Sequence, residues 1–151
     1  MGSGKTTVGR MLAKRLGHRF IDTDREIVRM AAQSIVSIFK KEGEAGFRKR
    51  ETAAIARACK VSGAVVAVGG GAVTRRENIV AMRRTGTVVY LQAPLTVLTR
   101  RVKGGASRPL WKKARSLYSE RIPFYNLSAH VRIRSGFGTP ASVADRVLER
   151  I

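Results

Sequence analysis

The first residues of the chain have the types and spacing that bind nucleotide phosphates. Gly2 and Gly4 lie two positions apart, and Lys5 and Thr6 follow directly. This is the second half of the pattern G-x-x-x-x-G-K-[ST], in which backbone amides close around phosphate oxygens, the lysine reaches the β- and γ-phosphates and the hydroxyl ligates Mg²⁺. The sequence therefore predicts a site for ATP and Mg²⁺ with Thr6 as a metal ligand. The predicted nucleotide-binding residues are Gly2, Ser3, Gly4, Lys5, Thr6 and Thr7.

Asp22 and Asp24 form a second group suited to chemistry. They stand two positions apart where a short strand is expected to end, so their carboxylates can point the same way. One of the two can then hold Mg²⁺ or its waters while the other meets a hydroxyl nucleophile, which suits phosphoryl transfer to an alcohol. We predict Asp22 as the metal ligand. The run Thr23-Asp24-Arg25-Glu26 also fits a helix capping box. The two interpretations are both open and do not exclude one another.

The elements around these residues alternate between helices and short strands. Apolar residues recur at helical spacing after the glycines, and Gly17 is suited to end that helix. Ser34 is suited to cap a later short helix, and Gly43 is predicted to end it. The predicted strands end at Ile21 and cover 64–68, 87–91 and 131–134. The run over 64–68 is continuous and β-branched, which is typical of a parallel strand buried on both faces. We predict one α/β domain over 1–151, a three-layer α/β/α sandwich with a central parallel sheet whose strand C-terminal ends gather the ligands.

Composition restricts the class of protein. The 151 residues carry a formal net charge of +20, which favours anionic ligands of many kinds. Cys59 is the single cysteine, so an internal disulfide is excluded, and with His18 and His130 it offers no zinc-type spacing. No apolar run approaches the roughly 20 residues of a membrane span. We expect a monomeric cytoplasmic protein without a membrane partner.

Further motifs follow one another in a fixed order along the chain. They are Gly-Ser-Gly-Lys-Thr-Thr at 2–7, Asp22-Thr23-Asp24, Gly-Glu-Ala-Gly-Phe-Arg at 43–48 with Glu51, Gly69-Gly70-Gly71-Ala72-Val73, Arg108-Pro109-Leu110 and Arg121-Ile122-Pro123-Phe124-Tyr125. A phosphate loop alone is weak support, whereas this ordered set is specific. From end to end the chain resembles the shikimate kinases. The resemblance implies a nucleoside-monophosphate-kinase-like P-loop fold and transfer of the γ-phosphate of ATP to the 3-hydroxyl of shikimate, in aromatic amino acid (chorismate) biosynthesis.

The resemblance also implies roles for the residues around the acceptor. Arg48 and Arg121 would bind the carboxylate of shikimate, for which the guanidinium fork is well shaped. Asp24 would accept a hydrogen bond from the attacking hydroxyl and act as its base, and Lys5 would neutralise charge on the transferred phosphoryl group. Backbone amides would approach the substrate at the triple glycine, Gly69, Gly70 and Gly71.

On the nucleotide side, the resemblance implies a lid over about 103–113. Arg108 would be the lid arginine that folds over ATP and stabilises the developing charge. Arg101 and Pro140 fall where members of the family hold adenine between two residues. Arg100 is an alternative to Arg101 at the first of these two positions. A basic residue in so basic a chain is more often surface charge than ligand, and only the shared order singles these arginines out.

The sequence departs from the family pattern in two places. The family's first strand and first loop glycine fall outside 1–151, so we expect the chain as given to fold poorly or to bind ATP weakly. Only 13 positions separate Arg108 from Arg121, which predicts a shortened lid that excludes water less completely. Two alternatives stay open: another small-molecule kinase, such as one acting on gluconate, and a degenerate P-loop module with a basic surface for nucleic acid. No nucleic-acid motif is recognisable, and we expect no such partner.

Overall fold

The structure, a computed structural model, describes residues 2–102 and 114–151. The helices in these ranges are α1 (Lys5–Leu16), α2 (Thr23–Ala31), α3 (Ile35–Ala58), α4 (Arg76–Thr85), α5 (Leu95–Val102), α6 (Ala114–Ser128) and α7 (Pro140–Leu148). The strands are β1 (Arg19–Asp22), β2 (Ala64–Ala67), β3 (Val89–Gln92) and β4 (Val131–Arg134), and a 3₁₀ turn covers Ala72–Thr74. Among the helices described, none combines the length and the apolar character that a membrane crossing requires.

The strands pair in parallel, β1 with β2 and β3 with β4. This confirms the predicted parallel α/β architecture. The strands occur as two pairs because no strand in the described ranges bonds to both β2 and β3. The register places Asp22 beside Ala67 and Gln92 beside Arg134. Since parallel strands end at a common edge, Asp22 at the end of β1 and Asp24 just beyond it lie next to the glycines after β2.

Helices cover both faces of the strands, which gives the three predicted layers. On one face, Val65 of β2 and Leu91 of β3 pack against a cluster from α1, β4 and α7. The buried members of this cluster are Val8, Leu12, Ile133, Val143, Ala144 and Val147. On the other face, Val68 and Val88 pack against a cluster formed by Ile55, Ala72 and Met82. The first cluster therefore joins the two strand pairs, because it receives side chains from both.

The strand predicted to be buried on both faces is less buried than expected. Ala67 at its end is 8% exposed, whereas Ala64, Val65 and Val66 are half-buried. In the described part of the chain β2 has a bonded neighbour along one edge only, so its residues keep more accessible surface than those of a strand between two neighbours.

Several element boundaries follow from local sequence as predicted. Gly17 ends α1 in a left-handed conformation with φ 64°. The Ser34 hydroxyl oxygen accepts a hydrogen bond from the Ser37 amide at 3.1 Å and so caps α3. Gly43, where a helix end is predicted, departs from helical geometry with φ 67° and ψ −173° and bends α3. The segment after this bend carries Arg48 towards the glycines that follow β2.

Candidate active site

The N-terminus of α1 is suited to bind an anion. Gly4 precedes the helix with φ 87°, a left-handed conformation that favours glycine. The first turn of the helix contributes no acidic side chain of its own, and the N-terminus carries the positive end of the helix dipole. Lys5 begins the helix, and Thr6 and Thr7 are exposed beside it. This arrangement presents backbone amides, a lysine and hydroxyls to phosphate oxygens.

Asp22 links the phosphate loop to the end of β1. The Thr6 hydroxyl donates to Asp22 Oδ2 at 3.1 Å. The other carboxylate oxygen, Oδ1, accepts hydrogen bonds from the amides of Asp24 at 3.1 Å and Arg25 at 3.4 Å, so Asp22 caps α2. The capping box starting at Thr23 is therefore wrong: the buried Thr23 hydroxyl donates to the Ala67 carbonyl at 3.3 Å and ties α2 to β2 instead.

Thr6 and Asp22 fit the chemistry of a Mg²⁺ site. They bring a hydroxyl oxygen and a carboxylate oxygen together at the phosphate loop. In residues 2–102 and 114–151 no group of three or more His, Cys, Asp or Glu side chains could hold a metal ion. Mg²⁺ in kinases takes one or two protein oxygens and completes its octahedron with phosphate oxygens and water, and this pair matches that requirement.

One cavity of about 140 Å³ joins the phosphate loop to the predicted catalytic pair. Lys5 and Thr6 line one part of it, Asp22 and Asp24 another, and Gly69 a third. The cavity therefore collects residues from α1, from the end of β1 and from the turn after β2. A hydroxyl group near Asp24 would lie in the same space as a phosphate held by the loop.

Arg48 lies next to this cavity in a buried ion-pair cluster. Its Nη1 donates to Glu51 Oε2 at 2.6 Å, and its Nη2 and Nε donate to Glu44 Oε1 at 2.9 and 3.3 Å. The side chains of Arg48 and Glu51 are 8% and 1% exposed, whereas Glu44 is 52% exposed. Burial opposes the charge on Arg48, but Glu51 and Glu44 outweigh it and raise the arginine pKa. Burial raises the pKa of Glu51, with Asp24 adding to the rise and Arg48 opposing it.

The triple glycine packs directly against these charged groups. A Cβ on Gly71 would lie 2.2–2.4 Å from the guanidinium atoms of Arg48. A Cβ on Gly69 would lie 2.6 Å from Glu51 Oε1 and 3.2 Å from Asp24 Oδ1. Glu51 Oε1 is buried and has no hydrogen-bond partner in the part of the chain that the structure describes. The glycines thus allow the backbone to contact the cluster where any side chain would displace it.

Arg121 reaches the same cluster from α6. It is half-buried, and its charge lowers the pKa of both Glu51 and Tyr125, although burial raises both values overall. The Tyr125 hydroxyl donates to the Gly70 carbonyl at 2.7 Å. The charges of Arg48 on α3 and Arg121 on α6, which the motif order pairs, therefore both act on Glu51.

The remaining predicted residues surround the nucleotide side. Arg101 Nη1 donates to the Gly2 carbonyl at 3.4 Å and to the Ser135 carbonyl at 3.1 Å, so it connects the phosphate loop with the segment after β4. Pro140 is exposed at the first position of α7. Arg108 and the predicted lid over 103–113 lie outside the described residues.

Two site residues were not assigned a role from the sequence. Glu51 is the partner of Arg48, and its spacing of three residues on one helix could have indicated the ion pair. Tyr125 belongs to the last motif, but its bond to Gly70 spans 55 positions and leaves no local signal.

The fold and the site together define a P-loop kinase. They combine parallel α/β layers with a phosphate loop at the start of a helix and an aspartate pair that faces the loop. A family model described as shikimate kinase matches residues 1–151. The chain belongs to the shikimate kinase family. It is accordingly an ATP-dependent phosphotransferase.

Similar proteins match the chain almost end to end. The shikimate kinase of Symbiobacterium thermophilum is 44% identical over 159 residues, covering 100% of this chain and 91% of that protein. The shikimate kinase of Neisseria gonorrhoeae is 45% identical over 141 residues, covering 89% of this chain and 83% of that protein. Among solved structures, shikimate kinase from Acinetobacter baumannii in complex with shikimate aligns with a TM-score of 0.95 and 40% identity, covering 99% of this chain and 87% of that one.

Proposed function

We propose that this chain transfers the γ-phosphate of ATP to the 3-hydroxyl of shikimate, giving shikimate 3-phosphate and ADP. The observation that carries the proposal is the shared space between two groups of residues. Lys5, Asp24 and Gly69 line one cavity, and Arg48 packs against the backbone of Gly71, two residues beyond Gly69. A phosphate donor and an acidic acceptor can therefore bind side by side.

On the donor side, the amides of residues 2–7 and the Lys5 ammonium hold the phosphates of ATP. Thr6 and Asp22 hold Mg²⁺, which neutralises phosphate charge when bound. The bond of Arg101 to Gly2 and Ser135 supports the assignment of Arg101, rather than Arg100, to the adenine site beside Pro140. Arg108 stabilises the transferred phosphoryl group as the lid closes, a role that rests on the motif order alone.

On the acceptor side, Arg48 and Arg121 bind the carboxylate of shikimate and orient its ring. Gly70 and its neighbours in the triple glycine bring backbone amides against the substrate. Asp24 accepts a hydrogen bond from the 3-hydroxyl. That hydroxyl oxygen forms a bond to the γ-phosphorus while the bond from the γ-phosphorus to the β,γ-bridging oxygen breaks, so ADP leaves with the electron pair and Asp24 takes the hydroxyl proton.

The chain would act as a cytoplasmic monomer with small-molecule substrates and without a nucleic-acid partner. The dispersed distribution of basic residues along the sequence supports the absence of a nucleic-acid partner, because such a partner is usually bound by a clustered basic patch. Light scattering during size-exclusion chromatography tests the oligomeric state.

The decisive experiment is an ADP-release assay with Mg·ATP and either shikimate or gluconate. We expect turnover with shikimate only. Asp24→Asn should lower kcat by about 10²- to 10⁴-fold, the usual contribution of a general base. Arg48→Lys keeps the charge but loses the fork, so the KM for shikimate should rise, whereas Arg50→Lys should change neither constant because Arg50 pairs with Glu42 at the surface. Turnover with gluconate instead of shikimate, in protein shown to be folded, contradicts the proposal.

A further inference from the structure

Tyr125 connects α6 with the triple glycine through its phenol. The hydroxyl donates to the Gly70 carbonyl at 2.7 Å. The ring stacks on Tyr90 of β3, with ring centroids 5.0 Å apart and planes inclined by 29°. The ring is therefore held by packing against a strand while the hydroxyl holds the glycine turn.

The tyrosine also shares a helix face with Arg121. Tyr118, Arg121 and Tyr125 are spaced by three and four residues, which places them along one side of α6. The Tyr118 hydroxyl donates to the Ala93 carbonyl, just beyond β3, at 2.9 Å. Two phenols thus flank Arg121 by about one turn on either side, but only that of Tyr125 contacts the glycine turn.

The charge state of the Tyr125 phenol allows it to donate a hydrogen bond. Burial raises the pKa of Tyr125, and Arg121 opposes the rise through its charge and a side-chain hydrogen bond. The net shift is upward from an ordinary value of about 10, so the hydroxyl stays protonated at neutral pH and can donate to Gly70. Arg121, four residues before Tyr125 on α6, therefore interacts with the same phenol that donates to Gly70.

We propose that Tyr125 is a positioning residue that fixes Arg121 relative to Gly70 and so holds the two parts of the acceptor site in register. This inference rests on the proposed function, because it takes Arg121 and the glycine turn as binding groups for shikimate. Tyr125 acts through these two groups and not on the reacting atoms. Its loss should therefore weaken binding of the acceptor more than it slows the chemical step.

Tyr125→Phe tests this role with the ring retained, and Tyr118→Phe is the matched control on the same helix face. For Tyr125→Phe we expect the KM for shikimate to rise about five- to tenfold, in keeping with the loss of one buried hydrogen bond. The KM for ATP should be unchanged and kcat should stay within about twofold. Tyr118→Phe should leave the KM for shikimate within about twofold, because its hydroxyl bonds to Ala93 instead of the glycine turn. General loosening of the fold would instead change the KM values for both shikimate and ATP, or it would lower kcat by reducing the fraction of active protein.

An unchanged KM for shikimate in Tyr125→Phe overturns the inference, and so does an equal rise in both variants. If Tyr125→Phe is unfolded at the assay temperature, Tyr90→Leu loosens the ring with its hydroxyl in place, and the same KM should rise; no rise overturns the inference. The proposed function fails separately, if the unaltered protein does not phosphorylate shikimate. Turnover of shikimate by the unaltered protein with no KM change in Tyr125→Phe contradicts only the positioning role.

Discussion

The donor and acceptor sides of the candidate site are built in different ways. The phosphate-binding part of the donor side takes residues 2–7 from one continuous segment and adds Asp22, and its Thr6 and Thr7 side chains are exposed. The acceptor side takes Arg48 from α3, the triple glycine from the turn after β2, and Arg121 from α6. Its central ion pair, Arg48 with Glu51, is almost fully buried.

This difference separates two physical tasks. Backbone amides and a helix dipole bind phosphate wherever a loop has the right shape, and this requires few side chains. Holding a guanidinium in one orientation for a single carboxylate requires buried partners, which carry a desolvation cost. We therefore expect changes on the donor side to affect rate with little loss of stability. Apart from the base Asp24, changes on the acceptor side should affect stability or the binding of shikimate.

Within the donor side, the largest effect on rate should come from Lys5→Met. This variant removes the lysine ammonium that neutralises negative charge on the transferred phosphoryl group. We expect kcat to fall by about 10²- to 10³-fold, as for the loss of one transition-state donor. The midpoint of thermal unfolding should stay close to that of the unaltered protein. Lys14→Met is the control, since Lys14 is exposed in the last turn of the same helix. A large loss of stability in Lys5→Met alone contradicts the proposed division of tasks.

The largest effect on stability should come from Glu51→Ala. It leaves the Arg48 guanidinium buried without its main partner, and we expect the free energy of unfolding to fall by about 3 kcal/mol, as when one member of a buried pair is removed. Glu44 still accepts from Arg48, which limits the loss. Urea unfolding measures the change. The control is Glu42→Ala, which breaks the surface pair with Arg50 and should cause no resolvable change. Equal losses of unfolding free energy in the two variants would show that burial does not make the Arg48–Glu51 pair more important for stability than a surface pair.

Features set by neighbouring residues could be predicted from the sequence. The phosphate loop, the helix end at Gly17, the cap at Ser34 and the strand Val131–Arg134 each depend on a few consecutive residues. Their geometry follows from glycine conformation, side-chain capping and apolar runs, which are all visible in a short window. The donor side belongs to this group.

Contacts between distant elements could not be predicted in the same way. The sequence left open whether Thr23 begins a capping box, and the answer depends on Thr23 bonding across to Ala67 of β2. The bond from Tyr125 to Gly70 and the approach of Gly71 to Arg48 join separate elements. The arrangement of the strands as two pairs likewise depends on which strand bonds to which, and the apolar runs that predict the individual strands do not show this. The order of the motifs indicated which residues meet on the acceptor side, but not what holds them.

A smaller and more selective effect is expected from Gly71→Ala. Gly71 has φ −92° and ψ −7°, which alanine adopts without strain, so the added methyl group acts only through what it touches. It would lie 2.2–2.4 Å from the Arg48 guanidinium, which must shift to make room. Because that group is the end of a flexible side chain, we expect unfolding to change little. The KM for shikimate should rise about tenfold, equivalent to about 1.4 kcal/mol.

The matched variant for this test is Gly86→Ala. A Cβ at Gly86 would have no atom within 4 Å, and its φ of −173° is open to any residue. Steady-state kinetics should therefore show the KM for shikimate rising in Gly71→Ala only, with the KM for ATP constant in both. A rise in the KM for ATP in Gly71→Ala would mean that the two sides are not independent, because displacement of Arg48 would then reach the phosphate loop through Asp24 and the shared cavity.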